Sequence, residues 1–264
     1  LLPEQTIKHP LVDLIVIGEG EKTFSEVVKA YISGDDLAEI PGTCIQKNNG
    51  EIVFGPKREF IDMDELPLPA YDLIDVKKYH GIEYQFDYQS SRGCPFRCGF
   101  CYNVTFCGRR WRKKSPDKVT EELTFLHNKY NVKNFGFVDD EFFIHLKRVE
   151  AIFDRILEGN KKFGIIASCR LDIIHRASPI LFEKMKKAGM TQMFFGAESG
   201  SEKMLKEIQK DITQKDIITG AKCVAEAGIR PILSFMSGFP GETTEELKNT
   251  FDVILELWGG VTCF

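Results

Sequence analysis

Cys94, Cys98 and Cys101 stand in a CxxxCxxC run inside the string RGCPFRCGFCYN. Thiolate is the soft donor that iron–sulfur clusters take. Three thiolates hold three corners of a four-iron cube and leave the fourth iron open, a place to bind and break a small molecule. Spacing alone leaves other readings open. A structural zinc site takes four N/S ligands, usually as two close pairs; the nearest fourth candidate is Cys107, and no His lies in the loop. Disulfide pairing fits less well, because eight Cys scattered over 264 residues without a signal-peptide pattern read as reduced, cytoplasmic thiols.

The neighbours of the cysteines sharpen the reading. Gly93 lets the chain turn as it leaves the apolar run YQFDYQS, Pro95 stiffens the loop, and Gly99 permits close backbone approach. Phe100 offers an aromatic face next to the third cysteine. The loop resembles that of the radical S-adenosylmethionine (SAM) superfamily, which is CxxxCxxC with an aromatic before the last cysteine. The resemblance implies that Cys94, Cys98 and Cys101 hold a 4Fe-4S cluster whose open iron chelates the amino and carboxylate groups of SAM. One electron then splits a sulfur–carbon bond, giving methionine and a 5′-deoxyadenosyl radical. A small-molecule substrate and an electron donor such as flavodoxin or ferredoxin are implied with it.

Elements that would position this loop follow from periodicity. From about residue 86 the chain alternates strand and helix, with strands at YQFDYQS, KNFGFVDD, FGIIASCR, TQMFFGAES and RPILSFMSGFP, and a sixth beginning at Val261. Helices are expected over Pro116–Tyr130, Leu146–Glu158, Pro179–Ala188, Lys215–Ala227 and Thr244–Trp258. Ser115-Pro116 is a cap with proline at the first helical position, and Gly189 and Gly228 stop their helices. Such alternation predicts an α/β fold with a parallel sheet and right-handed crossovers, a partial (β/α)6 TIM-like barrel.

Upstream, LVDLIVIG reads as a strand and TFSEVVKAYISG as a helix with an apolar stripe at Phe24, Val27, Val28 and Tyr31. The Gly18-Glu19-Gly20-Glu21 turn between them is a poor dinucleotide loop, since Thr23 replaces the third glycine and two glutamates would repel a pyrophosphate. VIGEGEKTF resembles the last strand–helix unit of the Rossmann-like cobalamin-binding domain that often precedes radical SAM barrels. Cobalamin is implied by that kinship and assigned to no residue, because the cobalt-ligating DxHxxG is not in this chain. The expected domains are thus 1–35 as a remnant of that domain, 36–85 as a connector with a hairpin at Asn48-Asn49-Gly50, and 86–264 as the barrel, in a chain read as a piece of a longer protein.

In parallel α/β barrels the site lies at the C-terminal ends of the strands. Those ends read Asp139-Asp140-Glu141, Ser168-Cys169-Arg170, Gly196-Ala197-Glu198 and Ser237-Gly238-Phe239-Pro240-Gly241-Glu242. SAM carries an ammonium, a carboxylate, a ribose diol and an adenine. Carboxylates suit the first and third, and a guanidinium suits the second. The resemblance implies that an acid of the 139–141 run, where the family has Gly-Gly-Glu, receives the amino group. It implies that Ser168 and Arg170 face the carboxylate, that Glu198 in GAESGSEKML meets the ribose, and that the segment at Ser237 holds adenine. Against each stands a plainer role: solvated strand-end acids, a structural arginine ion pair, glycines needed only for a tight turn.

Other features carry less. A net charge of −4 argues against a polyanion partner, and the basic run Arg109–Lys114 is read as a solvated face or a set of carboxylate partners rather than a nucleic-acid contact. His9, His80, His127, His145 and His175 lack companions at metal-ligand spacing. No apolar run approaches the ~18 residues of a membrane span. The expected function is SAM cleavage leading to cobalamin-dependent C-methylation, with oxidative ring closure, as in anaerobic magnesium-porphyrin cyclases, as the alternative. Methylthiolation fits less well, because only Cys44 precedes the loop. A rival from another class is a non-catalytic iron–sulfur or zinc module.

Overall fold

The computed structural model describes residues 2–79 and 85–264. His80, and Tyr84 at the start of the YQFDYQS run, lie outside them. The chain divides into two compact units, Leu1–Asp62 and Met63–Phe264.

The first unit opens with the short helix α1 (Pro3–Thr6) and places strand β1 (Leu14–Val16) before helix α2 (Gly20–Ser33). β1 pairs antiparallel with β2 (Thr43–Gln46), which pairs antiparallel with β3 (Ile52–Phe54). The strand assigned from sequence to one segment and the hairpin assigned to the next therefore share a sheet. The Asn48-Asn49-Gly50 turn forms as read, with Gly50 at φ +85 and its N–H donating to Lys47 O at 2.8 Å. α2 buries Thr23 and Val27 and leaves Phe24, Val28 and Tyr31 of its apolar stripe exposed. A sheet of three short strands covers only one narrow line of that helix.

The second unit carries the parallel sheet. Its strands are β4 (Phe86–Tyr88), β7 (Asn134–Phe137), β8 (Gly164–Ser168), β9 (Met190–Glu198), β10 (Arg230–Phe235) and β11 (Thr262–Cys263), adjacent in that order. All five pairings are parallel. Sequential order follows from a helix after nearly every strand returning the chain on the same side. Two short strands, β5 (Ser91–Arg92) and β6 (Arg112–Lys113), form an antiparallel ribbon across the base of the cysteine loop.

The main crossovers are α4 (Pro116–Tyr130), α5 (Leu146–Glu158), α7 (Pro179–Ala188), α9 (Gln214–Glu226) and α10 (Thr244–Leu257). Each agrees with its sequence reading within a residue at either end. Ser115 and Ser178 accept from the N–H of Lys118 and Leu181, and Thr213 and Thr243 close full capping boxes with Asp216 and Glu246. In this unit three short helices were not legible: α3 (Asn103–Phe106), α6 (Leu171–Ile174) and α8 (Glu202–Glu207). Four to six residues give no helical period to read.

One hydrophobic core runs through this unit. Phe135 of β7 meets Phe163 edge-on at 5.1 Å, while Leu123 and Leu126 of α4 and Ile152 and Phe153 of α5 are fully buried against the same layer. Among the described residues no helix is long and apolar enough to cross a membrane.

Candidate functional site

The strands end where the ladder ends, and the next residues turn into a cavity of about 290 Å³. Cys94, Cys98 and Cys101 all line it, as does Phe100. Gly93 makes the turn into the loop at φ +82, where a Cβ would collide with the carbonyl oxygen of Arg110; only glycine turns here without strain. Midway, Gly99 N–H donates to Ile208 O at 2.8 Å, and Arg97 makes a bidentate pair with Asp211 at 2.8 and 3.0 Å. Burial pushes the Cys94 thiol up to about 11, partly offset by a backbone hydrogen bond at Phe96. A bound metal cation would reverse that direction. Cys107 does not line the cavity; it is buried and its Sγ donates to Asn103 Oδ1 at 3.1 Å.

The three acids after β7 go to different places. Asp139 is not in the cavity wall. It is buried and takes the Ser90 N–H at 2.6 Å and the hydroxyls of Ser90 and Ser91 at 2.5 and 2.6 Å. Burial raises its pKa, and those hydrogen bonds oppose the rise. Its capacity is spent on joining the ends of β4 and β7, so the ligand contact expected from sequence is not where the structure puts this residue. Asp140 lines the cavity but accepts from Gly93 N–H, Tyr102 Oη–H and Asn103 Nδ2–H. Glu141 lines the cavity and is buried, and its carboxylate accepts only the Phe143 N–H, at 3.2 Å, among the described residues. Burial drives its carboxyl to about 8, with Phe143, Arg170 and Lys210 pulling the other way.

The other strand ends supply the opposite wall. Ser168, Cys169 and Arg170 follow β8 into the cavity. Arg170 is buried, with Nε on Asp172 Oδ1 at 2.9 Å, Nη2 on Lys210 O at 2.7 Å, and Nη1 3.7 Å from Cys98 Sγ. Its guanidinium lies 3.7 Å from the centre of the Phe96 ring. The structural ion pair weighed above is therefore present, and the arginine also ties the cysteine loop to β8. Glu198 closes β9 at φ +63, a left-handed conformation uncommon for a non-glycine residue. Its Oε1 receives Lys210 Nζ at 2.8 Å, with both side chains buried. Ser237 is exposed and outside the lining, whereas Ser234, three residues earlier, is part of it. The β10 ladder shifts register between Ser234 and Phe235, and of the expected adenine segment Phe239 packs 6.5 Å from the cavity-lining ring of Phe100.

Sequence reasoning missed Lys210 and Asn103, both cavity-lining. Lys210 sits between Gln209 and Asp211, each with positive φ, in a loop without motif or period. The basic run also resolves. Arg112 and Lys113 form β6, Trp111 donates to Glu141 O at 3.0 Å, and Lys114 is buried against Glu122 at 2.6 Å. Between Gln89 and Pro116 the chain has seven Lys and Arg and no Asp or Glu. Among the described residues no three His, Cys, Asp or Glu are gathered closely enough for a single metal ion.

Comparison with known proteins agrees with this architecture. Residues 88–254 match the family model described as the Radical SAM superfamily. An uncharacterised methyltransferase of Pyrococcus horikoshii is 38% identical over 251 residues, which are 94% of this chain and 54% of that protein. An anaerobic magnesium-protoporphyrin IX monomethyl ester cyclase of Synechocystis is 31% identical over 205 residues, 77% of this chain and 40% of that protein. The chain thus spans about half, or less, of these relatives. The cobalamin-dependent radical enzyme OxsB, solved with aqua-cobalamin and SAM, superposes with TM-score 0.83 at 24% identity over 95% of this chain and 37% of its own. The chain belongs to the radical SAM superfamily, whose enzymes have a 4Fe-4S cluster and S-adenosylmethionine as cofactors.

Proposed function

We propose that this chain is the catalytic core of a radical SAM enzyme, with Cys94, Cys98 and Cys101 as the cluster ligands and carbon methylation with cobalamin as the reaction of the whole protein. The observation that carries the first part is that three loop thiols line the same cavity as polar groups from the ends of four neighbouring strands. The donor set fits a cluster: three soft thiolates spread around a cavity suit a multi-iron body better than one tightly held ion. When bound, that cluster supplies the electron that cleaves SAM to methionine and a 5′-deoxyadenosyl radical.

The chain's own residues bind and orient. Glu141, buried and without an ion-pair partner among the described residues, receives the ligand's ammonium. A cation beside it favours its ionised form, so binding below about pH 8 releases a proton there. Arg170 and Lys210 bring positive charge to the ligand carboxylate, with Ser168 beside them. Glu198 turns its carboxylate to the ribose diol, and Phe100 shields the loop side. Methylation is favoured by the methyltransferase relative, and cobalamin by the likeness to OxsB. The reaction needs a reductant, and a flavodoxin or ferredoxin supplies electrons of the right kind. Ring closure is the second reading, favoured by the cyclase relative.

Anaerobic reconstitution with iron, sulfide, reductant and SAM tests the core of the proposal. The expected outcome is 5′-deoxyadenosine, retained on Cys107→Ala and abolished with cluster assembly on Cys98→Ala. Tight zinc stoichiometry without SAM cleavage would identify a non-catalytic module, and equal loss in both variants would overturn the three-ligand assignment.

A further inference from the structure

The carboxylate of Asp140 touches the cysteine loop at both ends. Gly93, which directly precedes Cys94, donates its N–H to Oδ2 at 2.7 Å. Tyr102 and Asn103, which directly follow Cys101, donate to Oδ1 at 3.0 and 2.7 Å. One side chain therefore spans the whole three-thiol segment. Its own backbone follows β7, which is paired on both sides by β4 and β8 and is a rigid base. Asn103 is held from behind, because its Oδ1 takes the Cys107 thiol at 3.1 Å while its Nδ2 faces Asp140.

We propose that Asp140 is the positioning residue of the cysteine loop, a staple that closes the loop's two ends and sets the spacing of the thiols, and not the group that receives the ligand's ammonium. The assignment rests on the reading of the loop as the cluster site. Three donors already point at this carboxylate, two of them on one oxygen, and a carboxylate oxygen accepts about two. Charge-assisted bonds of this kind are roughly twice as strong as neutral ones. Cys107 acts at one remove, fixing Asn103 so that its amide faces the acid. Of the three acids, Asp139 then ties strand to strand, Asp140 ties strand to loop, and Glu141 is left to face the ligand.

The test begins on the metal-free chain, where thiol reactivity reads loop geometry directly. Under anaerobic conditions the iodoacetamide alkylation rates of Cys94, Cys98 and Cys101 are followed by mass spectrometry. Asp140→Ala removes all three bonds and is expected to speed at least one of them by about tenfold or more, since even one charge-assisted hydrogen bond lost from the closed loop is worth about that much. The exchanged pair Asp140→Asn with Asn103→Asp keeps an amide–carboxylate contact, an acceptor for Gly93 and an acceptor for Cys107. It is expected to restore slow alkylation and, after reconstitution, the wild-type cluster EPR signature. A ligand-binding acid would not be rescued by moving its charge to residue 103. If Asp140→Ala leaves alkylation unchanged, or the exchange fails to restore it in protein whose circular dichroism is native, the staple is refuted. Should Asp140→Ala not fold, Tyr102→Phe with Asn103→Ala removes both bonds at the far end of the loop and leaves only that of Gly93, so the two ends are no longer joined and unchanged alkylation there refutes the staple equally. Failure of the wild-type chain to assemble a cluster would instead count against the proposed function.

Discussion

Glu141 holds a proton at a pH where most carboxyls have lost theirs, because burial has pushed it to about 8. The folded state therefore binds this proton more tightly than the unfolded chain does. Stability from the group is fully present below the ordinary glutamate range, near 4.5, and is lost as pH rises toward 8. In the metal-free chain, Glu141→Gln is expected to flatten the fall in urea midpoint between about pH 5 and pH 8.5. Parallel pH profiles for variant and wild type would show that the buried acid is not the cause. At this scale the sequence was most informative where chemistry is dense. Cys94, Cys98, Cys101, Glu198 and Arg170, singled out by type and spacing, all line one cavity. Lys210 was not legible, since its pairing with Glu198, twelve residues away, exists only after α8 and its loop have folded back. Asp139 misled because strand-end acids look alike until their donors are seen.

At the scale of the element, the β5–β6 ribbon and the turn at Gly93 act together. The ribbon holds Arg110 against the turn, and the turn aims the first cysteine. Gly93→Ala adds an unfavourable left-handed residue, about 1–3 kcal/mol, and drives its Cβ into the Arg110 carbonyl. Thermal unfolding of the metal-free variant should show a lower midpoint, and iron uptake on reconstitution should fall with it. An unchanged midpoint and full iron content would mean that the loop has an alternative path. The long helices were legible because caps and periods agree along ten or more residues. Strands were read too long at their ends. KNFGFVDD pairs only over Asn134–Phe137, and the residues that leave the ladder are the ones that build the site. Two-residue strands such as β5 carry no alternation, so the ribbon was invisible.

Across the whole molecule, the second unit stands on one continuous core, with Phe135 at its centre between Phe163 and Phe86. Phe135→Ala leaves a cavity in the strand that carries all three acids. It is expected to cost about 3–5 kcal/mol, read as a shift in the urea midpoint. A loss under 1 kcal/mol would indicate that the core closes over the gap. The sheet order was foreseeable from strand–helix alternation alone. The grouping of β1 with the β2–β3 hairpin was not, since antiparallel partners separated by a helix leave no periodic trace.

The acid-free stretch around the cysteine loop has an effect that reaches beyond the site. Its cations take counter-ions from other parts of the chain: Lys114 pairs with Glu122 and Arg97 with Asp211. Asp211, the nearby acid, is already held low by Arg97, and Arg170 and Arg109 add to the effect. Charge on the loop is therefore balanced by the folding of other segments against it. Of the two pairs, Arg97–Asp211 is about half exposed and is the one that added salt screens, while Lys114–Glu122 is buried and holds.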